Sequence, residues 1–237
     1  MLSDLREEVL EANIALVKEN LVVLTWGNVS AINDQEVVAI KPSGVEYSKM
    51  SSNDIVLLDL DGKILKGQLK PSSDTPTHLA LYKQHPEIKC IIHTHSPYAT
   101  AFAQAGKSIQ ALGTTHADYF FGDIPVSRSL TREEVEVDYE VNTGKVILET
   151  IAGRNALDIP GILVKQHGVF VWGDTIKKAL ENAVVIEQIA YMNYLTLNLN
   201  PSIEAIPKFI LNKHFYRKHG SNAYYGQSNQ SKGKKND

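Results

Sequence analysis

The run Cys90–Ala99, CIIHTHSPYA, constrains the fold of this chain more than any other stretch. It reads as an apolar strand ending in His93-Thr94-His95, with Ser96-Pro97 opening a helix behind it. Alternate residues of a strand share a face, so His93 and His95 point the same way about 7 Å apart. Two imidazoles held like that can close on one metal ion at Zn–N distances of about 2.0–2.1 Å. Taken alone, the pair serves equally well as a hydrogen-bonded structural pair. His167, after the apolar run Ile162–Val164 and before Gly168, adds a third imidazole, and Asp74 sits just ahead of another helix start. Catalytic zinc usually keeps three protein ligands and an open position. His93, His95 and His167 match that pattern, with Asp74 as a further oxygen ligand. A cupin would place a Glu shortly after the second histidine, where this chain has Ser-Pro-Tyr-Ala-Thr. An amidohydrolase barrel would show regular strand–helix alternation. Neither fits.

Around this strand the chain alternates hairpins and helices. Leu21–Trp26, Val29–Ile32, Glu36–Ile40, Asp54–Leu60 and Lys63–Lys66 read as strands, with turn signals at Asn33-Asp34 and Asp61-Gly62. Ile162–Val164 and Val169–Trp172 flank His167-Gly168 as two more. Helices are expected from Ser3-Asp4 to about Asn20, from Thr75 to Gln84, and from Pro97 to a cap at Gly106. Further on, Thr131–Val141 reads as partly helical and Val146–Ile151 as a separate segment. Asp174 is expected to cap a long helix over Thr175–Leu197, and Pro207–His219 forms the last one. Ala111–Asp123 reads as loop and short strand. The pattern implies an α/β protein with a mixed or mainly antiparallel sheet and helices on both faces. No repeat, linker or boundary divides residues 1–227, so one domain is expected. Residues 228–237 carry no apolar side chain and read as a disordered polar tail.

A length of 237 residues supports a sizeable core. A net charge of −3 gives no reason to expect nucleic acid or an acidic membrane as partner. The single cysteine, Cys90, excludes an internal disulfide framework and suits a reducing compartment. The acidic N-terminal segment lacks the order of a signal peptide, and no apolar run reaches the roughly 18–20 residues of a membrane span. A cytoplasmic protein is expected.

Asn28, Ser43, Gly44, Ser72 and Ser73 all fall in turns or at a helix N-terminus, where amides and hydroxyls can bind an anion. Turn chemistry alone accounts for the same residues. AFAQAGKS (101–108) imitates the end of a P-loop, but its leading glycine is missing and Gly106 closes a helix instead of opening one. No G-x-G-x-x-G is present, which counts against a nicotinamide cofactor. Asp118 is a candidate acid/base or an ordinary turn residue. HFYRKHGSNAYY (214–225) gathers cations and tyrosines at the end of the last helix.

Taken together, TWGNVSA (25–31), KPSGVEY (41–47), KPSSDTPTH (70–78), HTHSPYAT (93–100), GTTHADYFFG (113–122), HG (167–168) and KHFYRKHGSNAYYGQ (213–227) resemble the L-ribulose-5-phosphate 4-epimerase family. That family belongs to the class II aldolase/adducin-head superfamily, and the likeness runs from Met1 to Gln227. It implies an αβα three-layer sandwich with a mainly antiparallel sheet, assembled as a homotetramer with active sites between subunits. It implies that His93, His95 and His167 bind one zinc ion (manganese or cobalt in its place), with Asp74 on or near the metal. Gly27, Asn28, Ser43, Gly44, Ser72 and Ser73 would line the phosphate end of the substrate. Asp118 would be one acid/base, Tyr225 from the next subunit the other, and His214 a further pocket residue from that neighbour. Related sugar-phosphate aldolases carry a Glu where this chain has Asp74, which favours an epimerase.

The implied substrate, a phosphorylated ketopentose, explains the need for a metal. Its C4 hydrogen is not adjacent to the C2 carbonyl, so direct deprotonation gives no stabilised anion. Inversion at C4 therefore calls for oxidation or for cleavage of the C3–C4 bond. Without a dinucleotide motif, retro-aldol cleavage and re-addition through an enediolate is the expected route from L-ribulose 5-phosphate to D-xylulose 5-phosphate. Arabinose and ascorbate catabolism both use this reaction. The alternatives are a class II aldolase and a non-enzymatic, adducin-head-like scaffold.

Overall fold

A computed structural model describes residues 2–219 and 223–224. Helix α1 spans Leu2–Lys18, followed by β1 (Asn28–Ile32), β2 (Val38–Ile40), β3 (Val56–Leu58) and β4 (Ile64–Lys66). Then come α2 (Thr75–Gln84), β5 (Cys90–Thr94), α3 (Pro97–Ala105), the short α4 (Thr114–Ala117) and α5 (Arg132–Ile151). The chain closes with β6 (Gly161–Val164), β7 (Gly168–Gly173), α6 (Ile176–Leu199) and α7 (Lys208–Lys218). The strands form one sheet in the order β4-β3-β2-β1-β5-β7-β6. Every pairing in it is antiparallel.

The strand period separates two cores. Cys90 and Ile92 of β5 join Val29, Ala31, Val169 and Val171 on one face, beneath α1, α3 and α6. Ile91 joins Ile162, Val164, Phe170 and Trp172 on the other, beneath α2 and α5. β5 is buried throughout because β1 and β7 occupy both its edges and helices cover both its faces. It is therefore a rigid support for whatever its C-terminal end carries. The result is the expected three-layer sandwich, and no helix among the described residues is long and apolar enough to cross a membrane.

Four local expectations need correction. Leu21–Trp26 is not a strand: Leu24 and Gly27 take φ of 55° and 75°, so the run turns and leaves Val23 and Leu24 exposed. Arg132–Ile151 forms two helical stretches meeting at a kink at Asp138 (φ −149°, ψ 75°), earlier than expected, the first opened by a capping box between Thr131 and Glu134. The cap of α6 is Thr175, whose hydroxyl accepts from the Lys178 amide at 3.2 Å, and not Asp174. The 111–123 segment contains the helical turn α4 and no strand; the bridge between Ile109 and Ile124 flanks it on either side. Tyr225 and the polar tail lie outside the described residues.

Candidate active site

His93 is the last inward residue of β5 and lies opposite Asn28 on β1 and Phe170 on β7. Its ring stacks on Phe170 at 4.2 Å, and its Nδ1 is 3.0 Å from the Val169 carbonyl. A carbonyl only accepts, so Nδ1 carries the proton and Nε2 presents a lone pair. His95 follows just past the strand with its Nε2 3.0 Å from that of His93. His167 enters from the β6–β7 turn, where Gln166 adopts φ 63°. One nitrogen from each of the three histidines lies within 4.8 Å of the other two. For tetrahedral zinc with bonds of about 2.0–2.1 Å, ligand nitrogens stand roughly 3.3 Å apart, so the 3.0 Å spacing suits a shared cation.

Two glycines make this convergence feasible. A Cβ on Gly168 would lie 2.7 Å from the Thr94 carbonyl and 3.3 Å from His93 Cε1. Gly27 has φ +75°, and a Cβ there would meet the His93 carbonyl at 2.8 Å.

The electrostatics favour a metal over protons. Burial, then repulsion from His93 and His95, pushes the His167 imidazole down to about 3. Burial and then His93 take His95 down to about 4, and burial also lowers His93. All three are therefore neutral imidazoles at physiological pH, the form that a metal ion requires. Asp74 stands beside them, Oδ2 4.0 Å from His93 Nε2 and 2.7 Å from the Asn28 amide nitrogen that donates to it. Burial opposes its ionised form, yet His93, His78 and the Asn28 hydrogen bond together hold its carboxyl below the ordinary range.

These groups open into a cleft of about 620 Å³ that also holds Gly27, Asn28, Ser43, Gly44, Ser72 and Ser73. The two turns that line it are tied together, Ser43 N to Lys70 O at 2.9 Å and Ser72 N to Lys41 O at 3.0 Å. Asn28 donates to both Ser72 and Asp74, while its own Oδ1 is buried with no hydrogen-bond partner among the described residues. A larger groove, about 1230 Å³, runs along α1 and α6, but no histidine lines it.

The sequence reading missed Lys41, Tyr139 and Glu140, which also line the cleft. Lys41 is 2% exposed, lies over the Tyr47 ring at 4.8 Å, and has no carboxylate partner among the described residues. Burial lowers its pKa. The signal was present, a lysine entering the Pro-Ser-Gly turn, but its burial is a tertiary fact. Tyr139 and Glu140 are hidden in an acidic helix.

Asp118 and His214 are not among the residues of this cleft. They pair with each other instead, His214 Nδ1 donating to Asp118 Oδ1 at 3.0 Å. Arg217 grips the same carboxylate through Nε at 3.0 Å and Nη2 at 2.7 Å. Burial raises the Asp118 pKa, but the Arg217 and His214 hydrogen bonds outweigh it and keep the carboxyl ionised. The structure thus gathers the residues expected to hold a metal and an anion in one place and Asp118 with His214 in another.

An antiparallel αβα sandwich in which three histidines able to hold a metal ion share a cleft with two hydrogen-bonded turns defines the class of protein, that of the class II aldolase fold. The chain belongs to the class II aldolase and adducin N-terminal domain family, whose model matches residues 7–194. It is 54% identical over 224 residues to the L-ribulose-5-phosphate 4-epimerase UlaF of Salmonella paratyphi B, covering 94% of this chain and 98% of that one. Among solved structures it is similar to an L-fuculose 1-phosphate aldolase (TM-score 0.77, 26% identity, 90% of this chain and 95% of that one). The L-fuculose 1-phosphate aldolase of Glaciozyma antarctica shares the fold at 18% identity (TM-score 0.76, 93% and 84% covered).

Proposed function

We propose that this chain is an L-ribulose-5-phosphate 4-epimerase, a zinc-dependent isomerase that inverts C4 to give D-xylulose 5-phosphate. The observation that carries the reading is the cleft itself: three neutral imidazoles converge in it, and a buried lysine with two paired turns lines the same cleft. A divalent metal on His93, His95 and His167 would supply Lewis-acid polarisation of the ketose carbonyl. Asp74 stands close enough to join or orient that set. Lys41, Ser43, Gly44, Ser72 and Ser73 hold the phosphate, so the aldehyde fragment released by C3–C4 cleavage stays tethered while it turns its other face. The bare Asn28 Oδ1 accepts from a substrate hydroxyl. Inversion needs a proton acceptor or donor on each side of C4, and Asp118 and Tyr225, with His214, supply them from the neighbouring subunit of a homotetramer. Asp118 is ionised by its Arg217 pairing and therefore begins as the base. Such an enzyme works in the cytoplasm, on a route of pentose catabolism such as that of arabinose.

The relative named as an epimerase, together with Asp74 in place of a glutamate, supports epimerisation over net aldol cleavage. The test is a coupled assay on zinc-loaded protein, following xylulose 5-phosphate while also trapping free glycolaldehyde phosphate. Metal-dependent xylulose 5-phosphate without accumulating aldehyde is the expected result. Aldehyde as the main product would make the protein an aldolase, and no turnover with zinc bound would make it a scaffold.

A further inference from the structure

His167, unlike His93, is not held by a strand or, among the described residues, by a backbone carbonyl on its ring. His93 is locked by the Val169 carbonyl and by stacking on Phe170, whereas His167 sits in a turn, tied by its own backbone to Val164 O at 3.0 Å. Among the described residues the partner of its ring is the Tyr139 hydroxyl, 3.3 Å from Nδ1. We infer that Tyr139 is a positioning residue for the metal centre: its oxygen accepts the Nδ1 proton of His167, which fixes the tautomer and aims Nε2 at the ion. This rests on the three-histidine metal site proposed above.

The chemistry leaves one arrangement. A neutral imidazole that gives one nitrogen to a metal keeps its proton on the other. If Nδ1 instead accepted from the tyrosine, Nε2 would carry the proton and could not ligate. Metal binding through Nε2 therefore makes the Tyr139 oxygen an acceptor, and its own hydrogen turns to water or ligand in the cleft. A hydroxyl does for His167 what the Val169 carbonyl does for His93.

The placement of Tyr139 is built by several contacts. The bend in α5 at Asp138 immediately precedes Tyr139. Across it, Asn142 Nδ2 donates to the Glu134 carbonyl at 2.9 Å, and Thr143 Oγ1 donates to the Tyr139 carbonyl at 2.9 Å. From α2, Thr77 Oγ1 donates to Glu140 O at 2.6 Å, tying the bend to the helix whose N-cap is Asp74. Thus α2 and α5 bring Asp74 and Tyr139 to the same cleft as one packed unit.

The test is zinc affinity of full-length wild type and Tyr139→Phe, measured by chelator competition, with ¹⁵N NMR of the His167 ring in the zinc-loaded proteins. The phenyl ring keeps the packing, and apo thermal melts of both proteins report folding. The expected result is a zinc affinity weakened by about 10–100-fold in the variant, with faster exchange of the His167 Nδ1 proton. Should the variant fold poorly, the wild-type spectrum still decides: a protonated Nδ1 protected from exchange supports the inference, and an Nδ1-ligated ring overturns it. Equal affinity and unchanged exchange in Tyr139→Phe would also overturn it while leaving the metal site standing. Wild-type protein that takes up no zinc would remove both.

Discussion

Lys41 concentrates the conflict between stability and function in one side chain. A desolvated ammonium whose partners among the described residues are two carbonyl oxygens at 3.4 Å and an aromatic face destabilises the folded chain. It is placed where an anionic substrate would offset that cost. Lys41→Met keeps most of the volume and removes the charge. The melting temperature of the free protein should then stay level or rise, while KM for L-ribulose 5-phosphate should climb roughly 10–100-fold. That range corresponds to a charge-assisted hydrogen bond of about 1.5–3 kcal/mol. Thermal melts and initial rates check the two halves separately, and a fall in melting temperature with KM unchanged would recast Lys41 as a structural residue. Sequence made its neighbours visible because Ser43, Gly44, Ser72 and Ser73 follow local turn chemistry. It hid Lys41 because burial depends on where Tyr47 and the 25–28 backbone come to lie.

At the scale of elements, α2 is fastened to the sheet by a buried chain of polar groups. Ser30 Oγ on β1 lies 2.7 Å from both His78 Nδ1 and Tyr82 OH. His78 is fully buried, and that burial pushes its imidazole down to about 3, as burial also does for His167. Between that value and the unfolded value of about 6.5, the unfolded chain binds the extra proton. Stability of the metal-free protein should therefore decrease as pH falls below about 6.5, with a limiting slope of about 1.4 kcal/mol per pH unit for each such histidine. The lowered Asp74 pKa acts only below the ordinary carboxylate range, outside this window. Urea midpoints in chelator at pH 7.5, 6.5 and 5.5 test this, and a flat profile would refute it. The Asp61-Gly62 hairpin, the Gly106 helix end and the β5 alternation were legible because they follow from neighbours in sequence. The bend at Asp138 was not, since it is held by Asn142, Thr143 and Thr77, and the last reaches it from another helix. Leu21–Trp26 misled for a similar reason: its apolar composition suits a strand, but left-handed residues at Leu24 and Gly27 turn the chain toward β1.

On the scale of the whole molecule, the candidate residues fall into two groups that a single chain does not merge. Asp118 draws its partners from His214 and Arg217, nearly a hundred positions away, and the cleft residues make a separate constellation. If neighbouring subunits complete the site, each chain contributes one half to each of two active sites. His95→Asn removes a cleft ligand and leaves the Asp118 group intact, whereas Tyr225→Phe leaves the cleft and its zinc intact. Each variant alone should be strongly impaired. After co-refolding in equal amounts, a random assembly places an intact cleft against an intact neighbour at about a quarter of its sites. Activity should then return to roughly that fraction of wild type. Mixed oligomers separated by differential tags, assayed beside each parent, provide the measurement. Hybrids no more active than their parents would place cleft, Asp118 and Tyr225 in service of one chain, and would require a rearrangement that brings the α4–α7 cluster to its own histidines.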